Sequence, residues 1–546
     1  MMRQTIIISM VYLVLATSIP AQADSYQLTL NLDIDKGQLD GQMLLYYENS
    51  GPIQLKEIRL RLDENFHASA SILSVCEANE AKLDWSYLPF KFAKNQSEKG
   101  QMSVILPKPL RSGDTMELRI HFRVDDKKLI TKGMTVLQDD PFQSFDAWYP
   151  KAMTKKAGKW SFSDDRPSNY DVTIEVPVGY TIASTGRLVE ERAAGNGRRI
   201  LHLKAERVRG FTIYGSPRWK KHSRNSEGIE LNIYLPDEAK DWAKPMLDVT
   251  ADVIRFLRKE YGEFPTQHLT IVGVGSLTDE AHGASAACNI IGIFLSNKLE
   301  KQYHWLIAHE VPHQYFGSSI GLYADSVGWA VIGLAMCMER QYMIDRGLDW
   351  PKPAIGQWAY FEAERRGYDT TLSQPLEVLL TAEAPWSFGW NMALRHGKAY
   401  AVCSMLEDLL GEEKFKAVIR KIIAERNGTL FGGSDLMNYC EEAMGESLDW
   451  FSADWVNGRA TLDYAVSNIK QIDKGWEVTI AQVGMAEFPV TVEVETETGG
   501  KIRQRVDRQK ETNILQFTIN GELRNVVIDP NAVYPDLDRS NNSRKP

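Results

Sequence analysis

Hydrophobic and polar residues alternate along the chain from Tyr26 to about residue 216. Stretches such as YQLTLNLDID, GQMLLYYENS and TMELRIHFRVDD place an apolar side chain at nearly every second position and end at turn-forming residues. A period of two is typical of strands with one buried face. The pattern therefore predicts an N-terminal all-β domain, a β-sandwich, over residues 24–225.

The period changes after the polar turn SRNSEG. In WAKPMLDVTADVIRFLRKEYG apolar residues recur three and four positions apart, and most of the chain from Gln302 to about Ala460 has this helical period. The stretch AVCSMLEDLLGEEKFKAVIRKIIAERNG is predicted to be helical, with Gly428 at its end. Alternation returns in WEVTIAQVG, FPVTVEVETE and ILQFTING. The fold class is predicted to be multidomain α+β, with a mostly helical domain over residues 226–465 and a small C-terminal β-sandwich over 466–546.

Residues 1–23 follow neither pattern. Arg3 precedes an apolar run that ends in Ala21-Gln22-Ala23, the small-x-small ending of a secretory signal. We expect cleavage after Ala23 and export, to a bacterial periplasm or beyond. An uncleaved membrane anchor is the alternative, although the run is short for a span. No later segment has the ~18 consecutive apolar residues of a spanning helix, so no transmembrane segment is expected in the mature chain.

Composition narrows the class of partner. The chain of 546 residues is 43% hydrophobic and 25% charged, as in ordinary globular proteins. Its net charge of -9 disfavours nucleic acid or an anionic membrane as a partner. Its five cysteines contain no C-x-x-C pair and are too few for a disulfide scaffold, which leaves one or two bridges open.

The stretch YHWLIAHEVPHQYFG carries the strongest chemical signal. His309, Glu310 and His313 form H-E-x-x-H. On a helix, residues four apart share a face, so both histidines can point at one zinc ion while Glu310 acts as a general base on water. The alternative is a pair of hydrogen-bonded core histidines. Because catalytic zinc needs a third protein ligand, the motif alone does not complete a site.

At this point the sequence resembles the M1 family of gluzincin aminopeptidases. AHEVPHQYFG followed by GWAVIGLA carries the likeness, and ordered matches extend it across nearly the whole mature chain: FDAWYP, YDVTIEVPVGYTIASTG, GKAYAVCSMLEDLLGEEKF, MGESLDWFSADWVNG and DPNAVYPDLDRSNN. The chain is identified as a bacterial, exported member with a degenerate active site. The resemblance implies a thermolysin-like catalytic domain over residues 226–465, zinc as the cofactor and peptides or proteins as substrates or ligands.

The first departure from the family concerns the third zinc ligand. In the family a ligand Glu, inside W-x-N-E-G-x-A, follows the second histidine by nineteen residues. Here the matching stretch is WAVIGLA and the position is Ile332. An aliphatic side chain cannot coordinate zinc, and two histidines bind it more weakly than three ligands do. The expected zinc site is therefore incomplete, and zinc could be weakly bound or absent.

Two further departures concern catalysis and substrate binding. The family's catalytic Tyr in Y-x-K-G is replaced by His396, while Lys398 is kept. An imidazole can still donate one hydrogen bond to an oxyanion, so a catalytic role for His396 stays open. The family's G-x-M-E-N loop corresponds to Gly283-Ala284-Ser285-Ala286, with no Glu to grip a free amino terminus. Asp279 or Glu280 could substitute, although solvated surface positions fit them better.

The last departure is Pro312, inside H-E-V-P-H. Proline in a helix interior removes a hydrogen bond and clashes with the carbonyl four residues back, at a cost of ~3 kcal/mol unless the helix is already distorted. We expect a kink that turns the side chains of the two histidines away from a common metal ion.

Three functions remain. The favoured one is a pseudoenzyme, an M1-type peptidase homologue that binds peptides but is catalytically impaired or inactive. The second is an active zinc metallopeptidase with Glu310 as base and a replacement third ligand: His396, or alternatively His282 or Asp325. The third is a non-catalytic interaction module.

Overall fold

The structure is a computed structural model with a sheet-rich N-terminal region, a helical middle region and sheets at the C-terminus, which confirms the predicted order. It describes residues 24–61, 70–91, 96–125, 130–131, 134–137, 148–156, 158–161, 166–279, 283–323, 326–348, 354–375, 378, 390–506, 508 and 512–546. The predicted signal sequence lies outside these residues. Among the helices described, none has the length and apolar character needed to cross a membrane.

Two sheets of the N-terminal region share one hydrophobic core. The alternation of apolar and polar residues along each strand supplies the side chains of this core. In Ser25–Asp33, for example, the buried residues are Tyr26, Leu28, Leu30 and Leu32. The larger sheet contains, in spatial order, Arg187–Gly195, Arg198–Val208, Ser168–Pro177, Ser25–Asp33, Gln38–Glu48, Thr115–Asp125 and Ala70–Glu77. The smaller contains Lys151–Ala152, Leu55–Arg61, Gln96–Leu110 and Trp85–Lys91.

Smaller sheets complete this region and lead into the next. One contains Thr181–Ser184, Ile213–Ser216, Met134–Leu137 and Ile130–Thr131, and a hairpin pairs Thr154–Lys156 with Lys159–Ser161. A further sheet has the order Trp219–Ser226, Ile229–Pro236, His268–Thr278, Ile290–Ser296 and Ala284–Ala287. The predicted domain boundary at residues 225 and 226 falls in the first hairpin of that sheet; the domain limits stay a prediction.

Seven helices of at least twelve residues are described in the middle region. They are α1 (Ala243–Tyr261), α2 (Leu299–Glu310), α3 (Trp329–Asp345), α4 (Ala354–Arg365), α5 (Ala399–Leu410), α6 (Glu412–Arg426) and α7 (Gly433–Met444). Shorter elements are the 3₁₀ turns Asp237–Trp242 and Pro312–Gln314, the π-helices Asn391–Lys398 and Ser452–Val456, the turn Asp449–Phe451, and the paired strands Gly321–Leu322 and Leu430–Phe431.

The helical stretch predicted to end at Gly428 is two helices. Gly411, with φ +82°, separates α5 from α6. That backbone conformation is one that glycine adopts without strain, so the helical period continues on both sides of a break. The prediction of helix was right, and the prediction of one continuous element was wrong.

The C-terminal region consists of two further sheets. One contains Tyr464–Ile472, Gly475–Gln482 and Thr512–Thr518, and the other Lys501–Arg505, Thr491–Thr496, Leu523–Ile528 and Ser543–Arg544. Their buried side chains join those of the helices in one hydrophobic core. All five cysteines are free thiols, so the bridges that the sequence left open are not formed.

Candidate active site

The H-E-x-x-H stretch lies where α2 ends, not within a continuous helix. The backbone N–H of Val311 donates to Ile307, 3.0 Å away, and Pro312 then begins the 3₁₀ turn. At the first position of such a turn proline lacks only an N–H that needs no partner within the turn. The prediction that Pro312 lies in a helix interior, where its ring would clash with a carbonyl, is therefore wrong. The rings of His309 and His313 stay close, with centroids 5.2 Å apart and planes at 85°.

Gln314 ties this turn to the edge strand Ala284–Ala287. Its Nε2 donates to the carbonyl of Ala287 at 3.1 Å, and its Oε1 accepts from the backbone N–H of Asn289 at 2.9 Å. Buried amide groups need such partners. The two bonds hold Ala286, in the same strand, against the histidine turn.

Helix α3 places two side chains at the site. Glu339 is buried, and its two oxygens accept from Nε1 of Trp305 at 2.6 Å and from Nδ1 of His309 at 2.8 Å. Ile332, two helical turns earlier on the same helix, is 2% exposed. The carboxylate of Glu339 thus fixes the ring of His309, while the position from which the resemblance expects a ligand presents an aliphatic surface.

His396 comes from the π-helix Asn391–Lys398, an uncommon element that is frequent at functional sites. Its ring centroid lies 5.7 Å from that of His309. The π-helix packs closely on α4, because a Cβ on Gly356 would stand 2.7 Å from the backbone carbonyl carbon of His396. Only glycine leaves that space, so this contact sets the position of the His396 backbone.

A cavity of ≈ 10 Å³ joins these elements. Its walls are Ala286, Glu310, His313, Ile332, Asn391, Arg395 and His396. That space fits about one water molecule or a small ion. The cavity wall therefore combines one carboxylate, two imidazoles, one carboxamide and one guanidinium with two small or aliphatic side chains.

The hydrogen bonds define the neutral tautomers. Nδ1 of His313 donates to the carbonyl of Phe316, and Nδ1 of His396 donates to the carbonyl of Asn391, each at 3.3 Å. A carbonyl oxygen only accepts, so Nδ1 carries the proton. The lone pair of each neutral ring is then on Nε2. Nδ1 of His309 likewise donates a hydrogen bond, to the carboxylate of Glu339 at 2.8 Å.

The surroundings separate the pKa values of the three histidines. Burial lowers the pKa of His396 to about 3 and that of His313 well below its usual value, with neighbouring His309 adding to both shifts. Burial also opposes the charged form of His309, but the charge of Glu339 and the hydrogen bond to it raise the pKa of His309 to about 9. At neutral pH His313 and His396 are neutral, and His309 forms an ion pair with Glu339.

The family's zinc-ligand set does not fit these residues. His309 and His313 offer nitrogen atoms, but Ile332 has no donor atom at the third position. Among the residues that the structure describes, no three His, Cys, Asp or Glu side chains stand in an arrangement that could hold a metal ion as placed. No reaction step through zinc follows from that set.

The structure brings together four of the predicted residues: His309, Glu310, His313 and His396. Three other candidates, Glu280, His282 and Asp325, lie outside the described residues. Asp279 is hydrogen-bonded instead to Nδ2 of Asn297, at 3.0 Å.

Sequence reasoning missed Glu339 and Arg395. Glu339 stands at the end of the apolar run WAVIGLAMCM, and a carboxylate beside such a run is itself a signal, because buried charges need partners. Arg395 carries no comparable signal. It is 1% exposed, and its Nε donates to the carbonyl of Val327 at 2.6 Å, a contact that only the fold creates.

Comparison with known proteins finds one family that the region of the site resembles. Residues 247–455 match the profile of the peptidase family M1 domain. The chain is 23% identical over 235 residues to leucyl aminopeptidase of Saccharolobus solfataricus, which covers 40% of this chain and 28% of that one. It is 22% identical over 395 residues to tricorn protease-interacting factor F2 of Thermoplasma volcanium, covering 69% and 48%. Probable aminopeptidase 2 of Sulfurisphaera tokodaii is 18% identical over 380 residues, covering 66% and 47%. The chain spans less than half the length of these relatives.

Proposed function

This chain is a member of the M1 peptidase family, and we propose that it binds peptides in the cleft of that family while its hydrolytic activity is impaired. One observation carries the proposal: Ala286 and Ile332 line the cavity beside the two histidines. At both positions the family resemblance expects a carboxylate. Their replacement removes a metal ligand and the group that holds a substrate's amino terminus.

The remaining residues define what the cleft does. Glu310 borders the cavity, where its carboxylate is placed to hold a water molecule. In the family, bound zinc supplies Lewis-acid chemistry to that water and to the scissile carbonyl. His396 stands where the family has its catalytic Tyr, so the oxyanion of a tetrahedral intermediate loses the hydroxyl that would stabilise it. Loss of one such donor typically costs about 10²–10³ in rate.

The loss of the loop carboxylate changes substrate recognition. A carboxylate at position 286 would attract the ammonium group of a free amino terminus, and the methyl group of Ala286 does not. Peptides with free and with blocked amino termini therefore bind equally well, in contrast to an aminopeptidase. Backbone hydrogen bonds from the edge strand Ala284–Ala287 are the available source of affinity.

We extend the proposal to the finer features of the fold and to location. The N-terminal and C-terminal regions are β-sandwiches, the middle region is thermolysin-like, and the chain is exported with cleavage after Ala23. The five-stranded sheet beside α1 and α2, and the signal-like residues 1–23, support these points. Amino-terminal sequencing of the protein recovered from a producing cell tests the cleavage site.

The second candidate is an active zinc metallopeptidase. The ring of His396, 5.7 Å from that of His309, favours it, because this histidine is near enough to act at the same centre. Glu310 would be the general base and His396 would either hold the metal or donate to the oxyanion.

Peptide binding distinguishes the two candidates. A fluorescent peptide library is prepared twice, with free and with acetylated amino termini, and binding is followed by anisotropy while mass spectrometry follows cleavage. The proposal predicts equal affinity for the two sets and no cleavage products over hours. Release of single amino-terminal residues, confined to the free set, would establish an active aminopeptidase.

A further inference from the structure

A second, larger cavity lies along α7, and its described lining residues are all different from those of the cavity beside the histidines. Its volume is ≈ 340 Å³, which is in the range of pockets that hold small molecules. Gly433, Met437 and Glu441 line it at intervals of four residues, so one face of the helix runs along its length. From Gly433 to Glu441 this face is roughly 12 Å long.

At one end of the cavity the first residues of two long helices meet. Trp329 begins α3 and Gly433 begins α7, and both residues line the cavity. The first backbone N–H groups of a helix have no partner within that helix and carry partial positive charge. Two such groups of donors at one end of a cavity favour an anion there.

The indole of Trp329 adds a donor at the same end. The residue is 0% exposed, and among the described residues no acceptor receives a hydrogen bond from its Nε1. A Cβ on Gly433 would overlap Nε1, so only glycine at that position leaves the donor uncovered. Buried indole N–H groups usually have an acceptor. A carboxylate oxygen of a ligand would supply it.

The other end of the cavity carries two carboxylates, those of Glu441 and Asp449. Oε1 of Glu441 accepts from the backbone N–H of Leu448 at 2.7 Å, which fixes this carboxylate beside the turn that begins at Asp449. None of the described residues that line the cavity is a Lys, Arg or His. The two negative charges therefore favour a cationic group of a ligand at this end.

The middle of the cavity offers both apolar and polar contacts. Met437 and Val456 present buried apolar surface, and Asn438 and Ser452 present an amide and a hydroxyl. Hydrogen bonds of ~3 Å at the two ends leave roughly 6 Å between the two charges of a ligand. The aliphatic stem of an extended lysine or arginine covers such a distance and packs against apolar surface.

We propose that this cavity binds an α-carboxylate together with a basic side chain, as found in free lysine or arginine and in a peptide that ends in either residue. The carboxylate lies at the starts of α3 and α7, and the cationic group lies between Glu441 and Asp449. The inference goes beyond the proposed function, because none of the described residues of the H-E-x-x-H turn lines this cavity.

Isothermal titration calorimetry of the purified full-length protein tests the site. The basic ligands are arginine, lysine and an acetylated tripeptide that ends in arginine. Norleucine lacks the cation, and the same tripeptide with an amidated carboxyl terminus lacks the carboxylate. We expect the basic ligands to bind, and each matched ligand to bind at least about tenfold more weakly, because it has lost one set of charge-assisted hydrogen bonds.

A variant that combines Glu441→Gln with Asp449→Asn removes the two negative charges and keeps the oxygen that accepts from Leu448. We expect its affinity for arginine to fall by about tenfold or more, and its affinity for norleucine to stay the same. Glu442→Gln is the matched control, because Glu442 is adjacent on α7 but pairs with Lys421 at 2.6 Å and does not line the cavity. Circular dichroism establishes that each variant is folded.

The relative affinities identify the source of the ligand. Tighter binding of arginine than of the tripeptide indicates a free amino acid, and the reverse indicates a peptide carboxyl terminus. No binding of any basic ligand at millimolar concentration, equal affinity for a matched ligand, or full affinity for arginine in the folded double variant would each overturn the site. Peptide cleavage is measured separately and bears only on the proposed function.

Discussion

The two walls of the cavity differ in how they are held. The histidine wall, defined as Glu310 and His313, which line the cavity, and the neighbouring His309, is backed by Glu339 through a buried hydrogen bond to His309. The apolar wall, defined as Ala286 and Ile332, consists of buried side chains that form no hydrogen bonds. A carboxylate at either position of the apolar wall would be buried and would need a compensating charge. An apolar side chain there carries no such cost, so the fold stands without the groups that the family's chemistry uses.

Rebuilding the apolar wall gives the largest expected effect. The triple variant Ala286→Glu, Ile332→Glu, His396→Tyr restores the carboxylates and the hydroxyl that the family resemblance expects. In the presence of zinc we expect cleavage of free peptides to rise by about 10³-fold or more, since each restored group acts on the transition state or on substrate position. Chromogenic amino acid anilides measure the rate.

The control for the triple variant adds Glu310→Gln, which removes the general base and should abolish the gain. If the folded, zinc-loaded triple variant cleaves no faster than wild type, the apolar wall is not what limits activity. Circular dichroism establishes folding in each case.

Removing the support of the histidine wall has the next largest effect. Glu339→Ala leaves His309 and the indole N–H of Trp305 without their shared acceptor. Breaking a buried charged pair typically costs 3–5 kcal/mol, so we expect the free energy of unfolding to fall by about 3 kcal/mol. Urea denaturation measures it. Glu339→Gln, which keeps the shape and one hydrogen bond, should cost clearly less; equal losses would show that packing, not the hydrogen bonds, is responsible.

Changing one position of the apolar wall should alter specificity alone. In Ala286→Glu the new carboxylate attracts a free amino terminus, and we expect free peptides to bind about tenfold more tightly than acetylated ones, ~1.4 kcal/mol. Fluorescence anisotropy measures the ratio. Ala286→Gln has nearly the same size without the charge and should show no preference. A preference in both variants would trace the effect to shape.

The smallest effect is expected at Pro312, between the two motif histidines. Because it begins a 3₁₀ turn after α2 has ended, its replacement removes only a restriction on the unfolded chain. We expect Pro312→Ala to lower the free energy of unfolding by less than about 1 kcal/mol. A stabilisation of about 3 kcal/mol would instead show that the proline strains a helix interior.

Local patterns predicted much of the fold. Alternation in YQLTLNLDID places Tyr26 and Leu28 in the core, as the structure shows. The helical period located α1 and α2 but not the break at Gly411, because the period persists across a glycine whose φ of +82° only the fold reveals. Spacing and resemblance likewise indicated His309, Glu310 and His313.

The rest of the site depends on contacts between elements distant in sequence. The bond from His309 to Glu339 joins two helices, and the approach of His396 depends on Gly356 in α4. No periodicity within one segment encodes either contact. The misreading of Pro312 has the same origin: spacing showed that two histidines could share a helical face, but the end of α2 decides how they meet.

Hydrolysis that depends on Glu310 is the most direct test of the account. Wild-type protein and Glu310→Gln, both shown to be folded and both supplied with excess zinc, are incubated with the same mixture of free and acetylated peptides, and products are counted by mass spectrometry. The account predicts peptide binding by both proteins and the same background level of cleavage. Cleavage by wild type at a rate at least 100-fold above that of Glu310→Gln, on the order of the effect of a single catalytic acid–base group, would contradict it.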